Sequence, residues 1–229
     1  MASVEGGQHF LQDIIEDELI SIFTRLELGL YAWHEAKHIL MHPDLQKVAM
    51  DIIQAIPKEG FADLRAARKY FDIMLTQVDW VVYSANEHLW TASDGSVESR
   101  PVTQLEDTTG AIIPSKAQQD RAAALKHGLL SWQTAFQHIL TKSLKSGGNE
   151  SLIAEALSLR FICSSIALDC CFASELSYDA YIPQFQVAIP MAKTLSAATS
   201  SKPKPTFIVS SILIRSLFFI ALKCRNKPL

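Results

Sequence analysis

The residues most suggestive of catalysis form the pentapeptide His34-Glu35-Ala36-Lys37-His38, which matches the pattern H-E-x-x-H. In a helix the two imidazoles share one face, and Glu35 would act as the base beside a zinc-bound water. With seven histidines and twelve glutamates in 229 residues, random placement gives about one match per hundred such chains, which is the false-positive risk of so short a motif. We favour an exposed helix end, where the histidines complement the helix dipole, and assign no metal site. Zinc binding by His34 and His38 is the weaker alternative, and its third ligand would be His88, His127 or Glu175.

A second group of polar residues, Glu175, Tyr178 and Asp179, follows an apolar stretch that contains cysteines. A carboxylate beside a phenol can transfer protons inside a pocket. These three residues are therefore candidate catalytic residues, together with Glu35. The favoured interpretation is structural, because Ser177 or Asp179 can cap the next helix while the tyrosine packs.

Aromatic side chains are the candidate walls of a binding pocket. Trp33, Trp80 and Trp132 occur in helical sequence, and with Tyr178 they would line a cavity for an apolar small molecule. Packing in the core is the commoner role of such residues.

The sequence predicts neither redox chemistry nor a cofactor. Cys170 and Cys171 are adjacent and lack the C-x-x-C spacing of redox or zinc pairs. We predict that the four cysteines are reduced thiols in or beside the core. The sequence contains no glycine-rich phosphate loop, no G-x-S-x-G turn and no dinucleotide fingerprint, so no cofactor is assigned.

The composition is that of an ordinary globular chain, with 48% apolar and 20% charged residues. The net charge of −3 lacks the basic surplus of nucleic-acid-binding domains, so direct DNA binding is not predicted. The first residues do not form a secretory signal, and we expect an intracellular protein. The apolar stretch 206–222 is interrupted by three serines and Arg215, which favours a buried core helix over a membrane span.

Apolar residues recur at steps of three and four along most of the chain, which predicts helices. Pro43 and Asp44 mark one helix boundary, and Ser115 is placed to cap a later helix. The predicted helices cover about 9–42, 45–56, 61–90, 115 to the glycines at 147 and 148, 149–173, 181–195 and the tail after 207.

The fold class is therefore all-α. Long helices joined by short turns predict antiparallel helical hairpins packed as a bundle or a short α-solenoid. We expect a single domain over residues 1–229. Within it, 91–115 is predicted to be a mobile connection and 199–206 a linker rich in Ser, Lys and Pro.

Four stretches resemble, in the same order, the regulatory domain that follows the DNA-binding cluster in fungal zinc-cluster transcription factors. They are DELISIFTRLELGLYAW, FADLRAARKYFDIML, ELSYDAYIPQFQVAI and FFIALKCRNKPL, and they extend from Asp17 to the last residues of the chain. The resemblance implies a helical repeat-like fold and a nuclear regulator of fungal metabolic or biosynthetic genes as the parent.

The DNA-binding element of that family needs six cysteines around two zinc ions, whereas no cysteine precedes Cys163 here. The leading hypothesis is therefore a regulatory domain without a DNA-binding element, linked to fungal secondary metabolism. It would bind a small apolar molecule or a protein partner, with no nucleic acid and no membrane. Its location would be nuclear.

The main alternative is a cofactor-independent biosynthetic enzyme, such as a cyclase or isomerase, that uses a cavity of the same helical scaffold in the cytoplasm. Such catalysis needs mainly shape and one or two polar groups. A zinc hydrolase built on His34, Glu35 and His38 is a lower alternative. Turnover distinguishes the enzymes from the regulator, and the oligomeric state stays open.

Overall fold

The computed structural model describes residues 43–91, 113–200 and 207–224. This part of the chain is 87% helical and has no strands, and its six α-helices pack against one another, which confirms the all-α prediction. The predicted helix over 9–42, most of the predicted connection and most of the linker lie outside these residues. The α-helices are α1 (Pro43–Gln54), α2 (Leu64–Thr91), α3 (Lys116–Ser146), α4 (Gly148–Cys170), α5 (Ile182–Ser200) and α6 (Phe207–Lys223), with a 3₁₀ helix at Glu175–Tyr181.

Local hydrogen bonds explain where the long helices begin. Ser115 caps α3 as predicted, because its hydroxyl accepts the N–H of Gln118 while the Gln118 amide oxygen accepts the N–H of Ser115 at 2.9 Å. Helix α2 begins at Leu64 rather than Phe61, because the Asp63 carboxylate accepts the Ala66 N–H at 2.7 Å and so acts as the N-cap.

The turn between α3 and α4 is as short as the two glycines predict. Gly147 has φ +70° and its N–H donates to the Ser143 carbonyl, which ends α3, and Gly148 has φ +71° at the start of α4. This left-handed conformation favours glycine. Helices α3 and α4 therefore fold back on each other as a hairpin.

Trp132 lies at the centre of the first hydrophobic core, which α1, α2, α3 and α4 build together. It is 1% exposed, and its indole stacks on Phe71, Phe136 and Phe161, with ring centroids 4.3, 4.5 and 5.9 Å away. The indole N–H donates to the Ala67 carbonyl at 2.7 Å, so its polar atom is satisfied inside the core.

The second core lies on the other side of α4, between α4, the 3₁₀ helix, α5 and α6. Leu159, Ile166 and Phe185 are among its fully buried side chains. Helix α4 also contacts α2 and α3, so it is shared by both cores. Within the described residues it is the one helix long and apolar enough to cross a membrane, a test that core helices of soluble proteins also pass.

One carboxylate links three helices across this arrangement. Asp79 of α2 accepts bonds from the Arg160 guanidinium of α4 at 3.2 and 3.3 Å, and the Arg215 guanidinium of α6 approaches it at 3.5 Å. Arg160 is buried, and such a charge is found inside proteins only when it is paired. The Asp79 ion pairs therefore fix the positions of α2, α4 and α6 relative to one another.

The cysteines lie where core thiols were predicted. Cys163, Cys170 and Cys171 are buried, Cys224 is half-buried, and all four are free thiols. Helix α6 differs from its prediction as a buried core helix. It buries Leu213 and Ile220 but leaves its other face exposed.

Candidate functional site

A groove with a cavity volume of about 380 Å³ lies between α1, the turn that follows it, and α3. This volume is within the range of small-molecule sites, about 300–1,000 Å³. The floor is apolar and includes Met50, Ile53 and Ile56 from the α1 side, and Gly128 and Ala135 from α3.

Gly128 sets the spacing of the two helices that form the groove. A Cβ at this position would lie 2.5 Å from Cγ2 of Ile53, closer than real Cβ contacts come. Helix α1 therefore packs directly on the backbone of α3 at this point. On the α3 side, the groove is lined by small residues that include Gly128, Ser131 and Ala135.

The turn after α1 is also held against α3. Gly60 has φ +100°, which favours glycine, and the Phe61 N–H donates to the Ala135 carbonyl at 3.3 Å. The aromatic ring of Phe61 is buried beside Trp132, with ring centroids 6.3 Å apart. This anchoring brings Lys58 to the groove.

The rim of the groove supplies a few polar groups around the apolar floor. The Lys58 ammonium and the His127 imidazole are exposed there, and Gln54 and Ser131 add hydrogen-bonding groups. None of the twelve described residues that line the groove is acidic. The groove is thus suited to an apolar molecule that is neutral or carries a negative charge.

The structure brings two of the predicted catalytic residues, Glu175 and Tyr178, together through Lys223 of α6. The Lys223 ammonium lies 2.5 Å from the Glu175 carboxylate and 4.8 Å from the centroid of the Tyr178 ring. Tyr178 is 6% exposed, while Glu175 and Asp179 are exposed. The Asp179 carbonyl accepts the N–H of Ile182 at the end of the 3₁₀ helix. The cluster joins the 3₁₀ helix to the end of α6.

Burial raises the pKa values of the phenols and the thiol in and beside this cluster. Burial raises the pKa of Tyr178, and the nearby Cys170 and Glu175 raise it further. Burial, followed by the charge of Asp169, raises the pKa of Tyr181 to about 12. Burial also raises the pKa of Cys170 to about 11. Raised values are the opposite of those that activate a nucleophile.

The predicted ligand-binding tryptophans separate in the structure. Trp132 is enclosed in the first core, so a ligand could reach it only by displacing the rings stacked on it. Trp80 is partly buried at the edge of the same core, with the Arg121 guanidinium 4.4 Å from the centroid of its ring. That guanidinium also bonds Gln46 and Gln77, so it ties α3 to α1 and α2. Neither tryptophan lines the groove.

Four predicted residues, Trp33, His34, Glu35 and His38, lie outside the residues that the structure describes. Within the described ranges no group of three or more His, Cys, Asp or Glu side chains is placed to hold a metal ion. His127 and Glu175, considered above as third zinc ligands, lie in the groove and in the Lys223 cluster respectively.

Sequence reasoning missed the groove because its two walls are far apart along the chain. The one local signal was Gly128, a glycine in the interior of a predicted helix, where glycine costs stability unless close packing requires it. The Asp79 ion pairs carried no local signal. Their three members come from three different helices.

Comparisons with known proteins add no named relative. No family model, no curated protein and no solved structure matches this chain.

Proposed function

We propose that this chain is a helical regulatory domain that binds a small apolar effector, neutral or anionic, in the groove between α1 and α3. The observation that carries the proposal is the groove itself, with its apolar floor, its rim of uncharged and cationic groups, and its lack of acidic residues among the lining side chains. Such a site fixes a ligand by burial and a few polar contacts.

The resemblance to the regulatory domain of fungal zinc-cluster transcription factors supports the same proposal. The second resembling stretch forms the start of α2, the third forms the 3₁₀ helix and the start of α5, and the fourth begins in α6. In this proposal the domain acts in the nucleus and responds to a metabolite. The residues of this sequence would supply the effector site, and they do not include the six cysteines of the family's zinc cluster.

The groove also explains how ligand binding would reach the rest of the domain. Ile53 and Ile56 line the groove and also belong to the first core, in which they join side chains from α2, α3 and α4. A ligand that shifts α1 therefore acts on the packing of that whole core. Binding and conformational change are coupled only to the extent that the ligand prefers one position of α1.

The test is to fill the groove by mutation. Ser131→Trp places a large ring in the groove, and Gln133→Trp is the matched control, because Gln133 is exposed on the same helix but does not line the groove. The probe is 8-anilinonaphthalene-1-sulfonate, an apolar anion, followed by its fluorescence with the full chain. We expect binding to weaken roughly tenfold, or about 1.4 kcal/mol, in Ser131→Trp and to be unchanged in Gln133→Trp. Equal binding by both variants would refute the groove as the site.

A second experiment distinguishes a regulator from an enzyme. Wild-type protein and both variants are incubated with a fungal metabolite extract, and the bound compounds are identified by native mass spectrometry. The proposal expects a compound that is retained by the wild type and by Gln133→Trp, is lost in Ser131→Trp, and is recovered unchanged. Conversion of that compound to a product would contradict a purely regulatory role and favour a cyclase or isomerase.

A further inference from the structure

The groove is long because α1 and α3 run side by side in the same direction. The Arg121 guanidinium donates to the Gln46 side-chain oxygen at 2.6 Å, and further along both helices Ile53 packs at Gly128. The lining residues of α3 extend from Ala124 to Ala135, which is about 16 Å along the helix axis. An elongated molecule therefore fits the groove better than a compact one.

The positive charge of the groove lies at one of its ends. Lys58 is the only lysine or arginine among the described residues that line the groove. It closely precedes Phe61, whose N–H donates to the Ala135 carbonyl, so Lys58 lies at the Ala135 end. Lys58 forms no ion pair with another described residue, and its neighbour Glu59 does not line the groove. Ser131, about one turn before Ala135, adds a hydroxyl that can donate a hydrogen bond. This end offers an ammonium and a hydroxyl to one anionic group.

The opposite end of the groove is apolar. Met50 of α1 and Ala124 of α3 line it. Gln54 and His127 lie between the two ends, because each is adjacent in sequence to the contact between the two helices. A molecule with an anionic head and a hydrocarbon body therefore meets matching groups along its whole length.

We propose that the ligand of the groove is an elongated apolar monocarboxylate, with its carboxylate at Lys58 and its hydrocarbon chain directed toward Met50. This inference rests on the proposed function, because it names the ligand class of the same groove. Burial of the chain supplies affinity, and the charge of Lys58 sets the orientation. A cationic head is disfavoured, because none of the described lining residues is acidic. A second negative charge on the head would find no second lysine or arginine in the described lining.

The first measurement compares head groups by isothermal titration calorimetry of the full chain. Octanoate, 1-octanol and octylammonium have hydrocarbon chains of similar length and differ in charge. Lys58→Met removes the ammonium but keeps an unbranched side chain, and Lys47→Met is the matched control, because Lys47 is exposed on α1 but does not line the groove. We expect the affinity of octanoate relative to 1-octanol to fall roughly fivefold in Lys58→Met, or about 1 kcal/mol, and to be unchanged in Lys47→Met. Added sodium chloride should reduce the same relative affinity in the wild type.

The second measurement varies the length of the chain from hexanoate through octanoate to decanoate. Each methylene that is buried contributes about 0.8 kcal/mol, so the affinity should rise roughly fourfold per methylene while the chain lies within the groove. Octyl phosphate, which carries a second charge, should bind no more tightly than octanoate. Ser131→Trp should weaken the binding of all these ligands.

The failure of this inference is distinguishable from the failure of the proposed function. An unchanged affinity of octanoate relative to 1-octanol in Lys58→Met would overturn the carboxylate at Lys58, while weakening of both ligands in Ser131→Trp would keep the groove as the site. Tighter binding of octyl phosphate than of octanoate would identify a phosphate-bearing ligand instead. Affinity that does not depend on chain length would overturn an elongated ligand. Absence of binding by the wild type, or equal binding by Ser131→Trp, would overturn the proposed function as well.

Discussion

A single methyl group added at Gly128 tests whether α1 packs on the backbone of α3. In Gly128→Ala the new Cβ would lie 2.5 Å from Cγ2 of Ile53, so α1 has to move away. Overpacking of this kind costs about 1–3 kcal/mol. Against this, replacing glycine by alanine inside a helix contributes about 1 kcal/mol of stability. The expected net effect is a loss of roughly 0–2 kcal/mol, where an unconstrained site would show a gain.

A double-mutant cycle makes this prediction sharp. Ile53 is buried, and Ile53→Ala alone should cost about 2–5 kcal/mol because it leaves a cavity. In the double variant the methyl at position 128 occupies part of that cavity. The two changes should therefore be less destabilising together than their sum, by roughly 1–3 kcal/mol.

The measurement is urea unfolding followed by tryptophan fluorescence, in which Trp132 reports on the first core. The unfolding free energy should decrease with urea concentration at the same slope for all four proteins, so that differences in midpoint report differences in stability. A stabilised Gly128→Ala whose effect adds to that of Ile53→Ala within about 0.5 kcal/mol would refute the close packing of α1 on α3. The same variant should weaken binding of 8-anilinonaphthalene-1-sulfonate, since displacement of α1 opens the groove.

Three further outcomes are expected from the described contacts. Trp132→Phe should lower the free energy of unfolding in urea by about 1–3 kcal/mol, because the buried Ala67 carbonyl loses its indole donor. An unchanged urea midpoint would contradict that hydrogen bond. Asp79→Asn should destabilise the fold by a similar amount, about 1–3 kcal/mol, because it removes the charge that two guanidiniums share, and adding salt should not restore it. The free energy of unfolding should fall as the pH rises above 9. Burial raises the pKa of Cys163 and Cys171 from 9.0 to about 11, so the thiols of the unfolded chain lose their protons first. An unfolding free energy that stays constant up to pH 11 would refute the burial of these thiols.

Only part of the polar cluster at the 3₁₀ helix can be predicted from local sequence. Glu175 and Tyr178 are three residues apart, so their proximity could be predicted from sequence alone. Lys223, which pairs with one and lies over the other, is 48 positions from Glu175 and could not be. The pKa of Tyr178 depends on burial, which is a property of the packed domain.

The burial of the tryptophans could not be predicted from the sequence. Trp80 and Trp132 look alike in sequence, since each occurs among apolar residues in a helix. The structure encloses Trp132 completely and leaves Trp80 at the edge of the core beside Arg121. The groove is lined instead by aliphatic, small and polar residues, which carry little signal as individual residues.

Local sequence suffices to predict the helices of the described residues, because periodicity, caps and glycines act within a few residues. Ser115 and Gly147 delimit α3 as predicted, and the separation of acidic residues from the basic C-terminal part is visible without coordinates. The tertiary structure alone decided which helix faces meet. The contact of Ile53 with Gly128 and the exposed outer face of α6 depend on distances between segments far apart in the chain, and no local pattern encodes such distances.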